Sequence, residues 1–447
     1  MKNKLQMTNN DNNLLEKVVS LCKRRGFIFP GSEIYGGIGG FYDFGPLGTE
    51  IKFNIKQAWW KKVVREREDV VGVNAAIIMN PKAWEASGHV SGFADSLVEC
   101  KKCHQRFKGD DMPDKCPNCD SVNFTDARSF NTMFKTFVGP AEDSASVAYL
   151  RPETAGGIFM NFKNVADSTR IDMPFGIAQI GKAFRNEINP KDYIFRTREF
   201  EQMELEYFVK PGEDEKYFDE WVSQRRAWYK ALGLKNVKER EQEKTERAHY
   251  SKRTIDIEYE FPFGTKEIEG IANRGDFDLS AHAKSSGKDL SYTDRNTGEK
   301  FIPYVIEPSA GVDRIALAFL CDSYTEEPSS AKASDGQGGH IILKLHPVLA
   351  PFKAAVFPLL KNKPELVEKA HSIYKELKKD FVVAWDDRGN IGKRYYSQDE
   401  IGTPYCFTVD FQTLEDDTVT VRSRDTGKQE RLAIKDLHSF VKLSLDF

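Results

Sequence analysis

Phe184-Arg185-Asn186-Glu187 and Phe195-Arg196-Thr197-Arg198-Glu199-Phe200-Glu201-Gln202-Met203-Glu204-Leu205-Glu206 flank one loop near the middle of the chain. Ile177 to Phe184 before it and Phe200 to Val209 after it read as antiparallel partner strands. The connection from Arg185 to Glu199 is longer than most hairpin loops, which marks it as functional. On the second strand Met203, Leu205 and Tyr207 alternate with Gln202, Glu204 and Glu206, so a period of two sends the polar groups to one face. With Arg196 and Arg198 beside Gln202 and Glu204, that face reads as a binding floor. A third arginine, Arg314, opens the apolar helix Val312 to Cys321 directly after Glu307-Pro308-Ser309-Ala310-Gly311. An arginine in the first turn of a buried helix requires an anion or a carboxylate partner. Three arginines framed by carboxylates suit a nucleotide triphosphate and an amine held side by side.

Working outward, 447 residues exceed what one hydrophobic core supports and predict two or three domains. No run of about 18 apolar residues is present, so no membrane span is expected. Met1-Lys2-Asn3-Lys4 and Asn9-Asn10-Asp11-Asn12-Asn13 lack the apolar segment of a secretory signal and read as a frayed polar end, which makes the cytoplasm the expected location. A net charge of -3 argues against a general nucleic-acid coat and leaves room for local basic faces. Lys235 to Arg253, with seven Lys/Arg against four Glu, is one, and Lys393-Arg394 another; a solvated helix face is the plainer reading of the first.

Four of the seven cysteines form Cys100-x2-Cys103 and Cys116-x2-Cys119 with twelve residues between the pairs. That spacing lets two tight turns present four thiolates to one tetrahedral zinc. The sequence between them is polar and short of core-forming residues, so a structural metal would have to order it. Disulfides or redox chemistry are the alternative, disfavoured in a reducing cytosol. Cys22, Cys321 and Cys406 stand alone, as small buried hydrophobes do.

Leu14 to Arg24 and Glu50 to Arg65 are predicted helices, the second with Ile51, Ile55, Ala58, Trp59, Val63 and Val64 on a buried face. Val70 to Met79 is a predicted strand ending at Asn80-Pro81, and this helix and strand are candidates for a subunit interface. Gly36-Gly37-Ile38-Gly39-Gly40 has no leading strand and no following lysine, so a flexible or close-packed backbone outweighs a nucleotide loop. Phe218, Trp221, Val222, Trp228, Tyr229 and Leu232 mark a helix docked on the sheet, and Asp256 to Phe263 and Phe301 to Glu307 are further strands. Asp322 to Gly339 reads as a linker. Beyond it, strands at 341–345, 381–385, 405–409 and 418–421 alternate with helices at 351–360, 365–378 and 434–443, which predicts a small α/β domain with a mostly parallel sheet. Gly176-x4-Gly181-Lys182 lacks the Ser/Thr of a phosphate loop and lies in a strand. Lys284-Ser285-Ser286-Gly287-Lys288 is only faintly like the lysine loop of class I synthetases.

Phe184 to Glu187, Phe195 to Glu204 and Glu307-Pro308-Ser309-Ala310-Gly311-Val312-Asp313-Arg314 resemble the second and third motifs of class II aminoacyl-tRNA synthetases, in wording close to the homodimeric glycyl-tRNA synthetases. Arg25-Gly26-Phe27 with Phe29-Pro30-Gly31-Ser32, Trp84-Glu85-Ala86-Ser87-Gly88-His89, Gly392-Lys393-Arg394-Tyr395 and Asp399-Glu400-Ile401-Gly402-Thr403-Pro404 extend the resemblance over most of the chain. It implies an α+β catalytic domain on a seven-stranded antiparallel sheet (1–98 and 128–325), a zinc-binding insertion (99–127) and a C-terminal α/β anticodon-binding domain (340–447). The implied partners are ATP with Mg2+, glycine, glycine tRNA and a second copy of the chain.

By the same resemblance, Arg185 grips the α-phosphate, Arg314 holds the γ-phosphate, and Glu267 stands with them as a third catalytic group. Asn186, Glu187, Phe195, Arg196, Thr197, Arg198, Glu199, Phe200, Ile268, Gly311, Val312 and Asp313 complete the ATP site. Glu153, Glu204, Glu307 and Ser309 surround the glycine ammonium, with Lys108, Phe200, Glu201, Gln202, Met203, Pro308, Ala310 and Gly311 alongside. Glycine has no side chain to read, and no amino acid is smaller, so steric exclusion alone suffices without an editing domain. Lys108 stands where the family has an arginine, and Gly156 where it has a glutamine, which would loosen the pocket wall. Lys266 and Glu269 also depart from the pattern. The rival readings are a non-catalytic relative that has lost the ATP arginines, and a ligase for another small amino acid. Arg185, Arg196 and Arg314 speak against the first.

Overall fold

The computed structural model describes residues 9–248, 250–327 and 340–447. Its largest sheet has seven strands: β1 (Val70–Gly72), β2 (Phe175–Phe184), β3 (Glu199–Val209), β4 (Val237–Glu241), β5 (Arg253–Phe261), β6 (Gly264–Gly275) and β7 (Tyr304–Gly311), in the order β4-β5-β6-β7-β3-β2-β1. Every pairing is antiparallel except β1 with β2. β3 is central and carries the alternation expected of it: Met203, Leu205 and Tyr207 are buried in an apolar layer, while Gln202, Glu204 and Glu206 take the opposite face. The register sets Glu204 opposite Gln179 of β2 and opposite Ser309 of β7. Two stretches about a hundred residues apart thereby form one surface.

Helices α1 (Asn9–Arg25), α2 (Pro46–Trp60), α4 (Asp214–Ala231) and α6 (Val312–Ser323) share the apolar layer behind the odd-numbered face of β3. Helices α3 (Ala155–Thr169) and α5 (Phe277–Ser286) cover the far end of the other face, through Ile158, Phe159, Phe162 and Leu279 packed on Phe175, Ile177 and Phe208. The polar end of that face is left open. Among the described residues no helix is long and apolar enough to cross a membrane.

Several elements differ from expectation. β6 was not anticipated, because Gly264-Thr265-Lys266-Glu267-Ile268-Glu269-Gly270 is charged and glycine-rich; in the fold Glu267 meets Arg314 and Glu269 is buried against Arg225. α3, α5 and α8 (Ile391–Asp399) were also missed. Only Val70–Gly72 of the 70–79 stretch pairs as a strand. Asn9 to Asn13 open α1 instead of fraying, and Met1 to Lys4 lie outside the described residues. The expected linker begins with the end of α6 and a strand, Tyr324–Glu327, paired with His340–Leu343; residues 328–339 lie outside the described residues.

The C-terminal sheet contains β8 (Ala354–Pro358), β9 (Val383–Trp385), β10 (Tyr405–Val409), β11 (Thr418–Ser423) and β12 (Gln429–Ala433) in the order β9-β8-β10-β11-β12. The helix expected at 351–360 is instead β8. Its run of apolar residues is buried on both faces, and a doubly covered parallel strand has no alternation to betray it. The sheet is mixed, with two parallel and two antiparallel pairings, and α7 (Pro364–Leu377) packs upon it. Arg394 in α8 is buried and donates to the carbonyls of Pro358, Asp387, Arg388 and Gly389, so it supports the fold instead of forming a basic face.

Candidate active site

The open end of the sheet holds a cavity of about 400 Å³. Arg185, Glu187, Phe195, Arg196 and Thr197 line it from the β2–β3 connection; Phe200, Gln202 and Glu204 from β3; Glu307, Ser309, Gly311, Asp313 and Arg314 from β7 and the start of α6; Glu267 from β6; Glu153 from the turn before α3.

Arg185 is anchored by one hydrogen bond, from Nε to the Pro152 carbonyl at 3.1 Å, and its guanidinium lies 5.3 Å from the Phe93 ring and 5.4 Å from that of Phe200. Its terminal nitrogens donate to nothing among the described residues, which leaves a cationic fork for an anion. Arg314 lies 4.5 Å from the Phe195 ring, 3.4 Å from the Glu267 carboxylate and 3.3 Å from the Phe195 carbonyl. Phe195 is itself held by edge contacts with Phe261 and Phe263. The aromatic rings hold both guanidinium groups; Arg185 keeps its terminal donors free, while Arg314 uses Nε and one terminal nitrogen on Phe195 and Glu267.

The floor is acidic. Glu204 accepts hydrogen bonds from the hydroxyls of Thr154 and Ser309, the latter at 2.7 Å, and a long one from Gln202 at 3.5 Å. Burial and the neighbouring charge of Glu153 push its titration up. Glu307 is paired with Arg274, whose other nitrogens hold Asp278 at 2.7 and 2.8 Å. Burial, only partly offset by Arg274, pushes Glu307 up to about 8. Glu153 goes the other way: burial opposes ionisation, but His89 at 3.4 Å and then Arg274 and Arg185 hold it down to about 2. A cluster in which one carboxyl is kept charged and its neighbours are kept near neutral is poised to take up a cation.

Other expected site residues lie elsewhere. Met203, Ala310, Ile268 and Val312 are buried in the apolar layer, because period two turns every second residue of a motif strand away from the cavity. Pro308 is buried in the sheet. Glu201 faces α2, where Lys52 and Lys56 hold it at 2.8 and 2.9 Å. Glu199 pairs with Lys182. Arg198 donates to the carbonyls of Glu187 and Gly39 and ties the loop to the glycine-rich segment. A Cβ on Gly40 would fall 2.6 Å from Pro190, so close packing accounts for Gly40, while Gly36 and Gly39 have open space around them. The backbone N–H of Asn186 donates to Thr132 O at 2.7 Å, and Asn186 does not line the cavity. Lys108 is bound to Asp95 at 2.6 Å in the insertion sheet and does not reach the cavity either. Gly156 does not loosen a wall: it is buried in α3, where a Cβ would sit 3.1 Å from the Trp84 ring. Glu269, on the far face of β6, is buried against Arg225 and Tyr229 at 2.7 Å each.

Sequence reasoning passed over Arg274, His89, Gln242, Thr254 and Asp256. Asp256 is held by Arg240 at 2.7 Å, and burial raises it to about 6. The Lys235–Arg253 stretch is a strand and turn whose Arg240 and Arg253 are spent on Glu246, Asp256, Glu258, Glu215 and Asp219, so it is no basic face. Trp84 to His89 was a visible signal for the support of Glu153, since that motif positions His89.

In the insertion, the strands Ala94–Glu99, Arg106–Lys108 and Arg128–Asn131 form a small sheet beside the four cysteines. All four thiols are free, with Sγ separations of 3.6 Å (Cys100 to Cys119) and 3.4 Å (Cys103 to Cys116), and all four sulfurs lie within 4.8 Å of one another. A tetrahedron with Zn–S bonds of about 2.3 Å has edges of about 3.8 Å, so this set fits zinc.

Residues 138–324 match the tRNA synthetase class II core domain (G, H, P, S and T), and residues 353–443 match an anticodon binding domain. With this sheet and these two motif strands, the chain belongs to the class II aminoacyl-tRNA synthetases. Within that class it is a member of the glycine–tRNA ligase family. It is 53% identical to the glycine–tRNA ligase of Borreliella burgdorferi (strain B31) over 96% of this chain and 97% of that one. It is 52% identical to that of Treponema denticola over 96% and 97%, and 50% identical to that of Alkaliphilus oremlandii over 97% and 99%.

Proposed function

We infer that this chain activates glycine with ATP and esterifies it to glycine tRNA. One observation carries the reading: the β3–β7 register sets an acid-walled niche directly beside a cavity into which Arg185 brings terminal nitrogens that donate to nothing among the described residues. A glycine carboxylate oxygen attacks the α-phosphorus, pyrophosphate leaves, and a ribose hydroxyl of the tRNA then takes the acyl group from AMP. The attacking carboxylate is already an anion, so no base is needed; the work is alignment and charge neutralisation. Arg185 stabilises charge growing at the α-phosphate, Arg314 holds the far end of the triphosphate, Glu187 meets adenine, and Phe200 and Arg196 line the nucleotide. Glu153, Glu204, Glu307 and Ser309 receive the ammonium, and steric exclusion around it rejects a larger amino acid.

Mg2+ entering with ATP would supply further neutralisation of phosphate charge. The oxygen-donor carboxylate of Glu267 at the cavity edge suits it. Zinc held by Cys100, Cys103, Cys116 and Cys119 would order the insertion. Glycine tRNA would be bound in part through residues 340–447. A homodimer is supported by Phe53 of α2 and by Ile77 and Ile78, large apolar side chains exposed on the helix and segment around β1; sedimentation of the purified protein at twice the chain mass checks it. The cytoplasm is the location this activity needs.

Amino-acid-dependent exchange of pyrophosphate into ATP, run with glycine, alanine and serine, tests the reading. Exchange with glycine alone is expected. Equal exchange with alanine defeats the specificity, and none at all favours a non-catalytic binding protein.

A further inference from the structure

One step along β3 from Glu204, beneath the cavity floor, lies Glu206. Its carboxyl group is fully buried, and neither oxygen has a hydrogen-bond partner among the described residues. An oxygen of Glu206 nevertheless lies within 4.8 Å of carboxylate oxygens of both Glu204 and Glu307. Arg274 gives it no direct contact, its guanidinium being spent on Asp278 and Glu307. An ionised carboxylate so placed would be desolvated, unpaired and beside two others. Burial first, then the charge of Glu307, raise its titration well above the usual carboxylate range; Arg274 opposes, and Glu204 and Asp278 reinforce. Full burial without a partner beside two carboxyl groups therefore favours the protonated form of Glu206, and a protonated acid carries an O–H donor.

Between its two neighbours, Glu307 has the room for that donor. Glu204 already accepts from Thr154, Ser309 and Gln202, whereas Glu307 has Arg274 on one oxygen. The terminal torsion of glutamate is broad, so modest rotation of the two carboxyl groups closes the gap. We propose that Glu206 is a positioning residue for amino-acid recognition, donating its carboxyl O–H to Glu307 and so holding that carboxylate toward the substrate ammonium. This rests on the glycine-activating reading above. When the ammonium enters, Glu307 ionises, and a neutral donor behind it stabilises the new charge without adding another.

Two substitutions in the full-length enzyme test this. Glu206→Gln keeps a donor without the charge, and Glu206→Met keeps the bulk without the donor. In glycine-dependent pyrophosphate exchange, Glu206→Met should raise the KM for glycine about 10-fold or more, the loss expected of a hydrogen bond to a charged group. Its KM for ATP should stay within about 2-fold, and Glu206→Gln should keep the KM for glycine within about 3-fold of the parent. The proposal is overturned if Gln is as impaired as Met, or if Met leaves the KM for glycine unchanged. It is equally overturned if the KM values for glycine and ATP rise together with a falling thermal midpoint. No exchange by the unsubstituted protein would instead remove the assigned reaction itself.

Discussion

At the scale of single residues, the cavity works because Arg185 and Arg314 are held by rings and carbonyls, with the terminal donors of Arg185 left free. Arg185→Ala should lower kcat for adenylate formation about 100- to 1,000-fold, as loss of a preorganised group facing developing charge does, with the thermal midpoint unchanged. Single-turnover measurement of adenylate formation checks it. The acid floor makes a pH prediction. Glu307, pushed up to about 8, is mostly protonated below that pH, and only its ionised form attracts the ammonium. The KM for glycine should therefore rise as pH falls below 8, by at most about 10-fold per unit for one proton, while the KM for ATP follows a different course. In Glu307→Gln this dependence should weaken, leaving only what Glu204 contributes. A KM for glycine that is flat from pH 6 to 8 in the parent enzyme would contradict the assignment.

At the scale of elements, a buried triad ties α2 to the motif strands. Lys52 of α2 bonds Asp313 at 2.6 Å and Glu201 at 2.8 Å, and Asp313 also accepts the backbone N–H of Glu201. This joins β3 to the first turn of α6 and keeps Arg314 at the cavity edge. Lys52→Met leaves Asp313 buried without its cation, while Glu201 keeps Lys56, and should cost about 3 kcal/mol, read by urea unfolding at pH 7. The sign with pH follows from Glu201. Burial opposes its charge, but Lys52 and Lys56 hold it down to about 2, below its ordinary 4.5. Its contribution is present above 4.5 and is lost as pH falls toward 2. The parent should lose more stability than Lys52→Met across that window.

At the scale of the whole molecule, the insertion and the C-terminal part are joined to the catalytic domain by named polar contacts and by Leu345, Leu349 and Ile401 in its apolar layer. Lys191 in the motif loop bonds Asp111 of the insertion at 3.1 Å, and Arg24 and Arg25 reach Glu400 and Ser397 of the C-terminal part. About one zinc per chain is expected by metal analysis, and stripping it with a chelator should expose 99–127 to proteolysis well before the catalytic sheet. Less than about half an equivalent would count against the site. Much of this was legible in the chain alone. The β2–β3 hairpin, the polar stripe on β3, the arginine opening α6 and the paired cysteines all depend on neighbours in sequence, where periodicity and spacing carry the signal. β6 and β8 were not legible, since one is charged and the other lacks alternation, and each becomes a strand only between its partners. Nor could the motifs say which of their residues meet the ligands. Met203, Ala310 and Ile268 turn inward, and Arg274, His89 and Asp256 arrive from distant segments, because register between strands far apart in the chain is chosen by the packed core as a whole. The amino-acid order thus determined which chemistry this protein carries, and tertiary pairing alone decided which side chains share the cavity and which carboxyl groups must keep their protons.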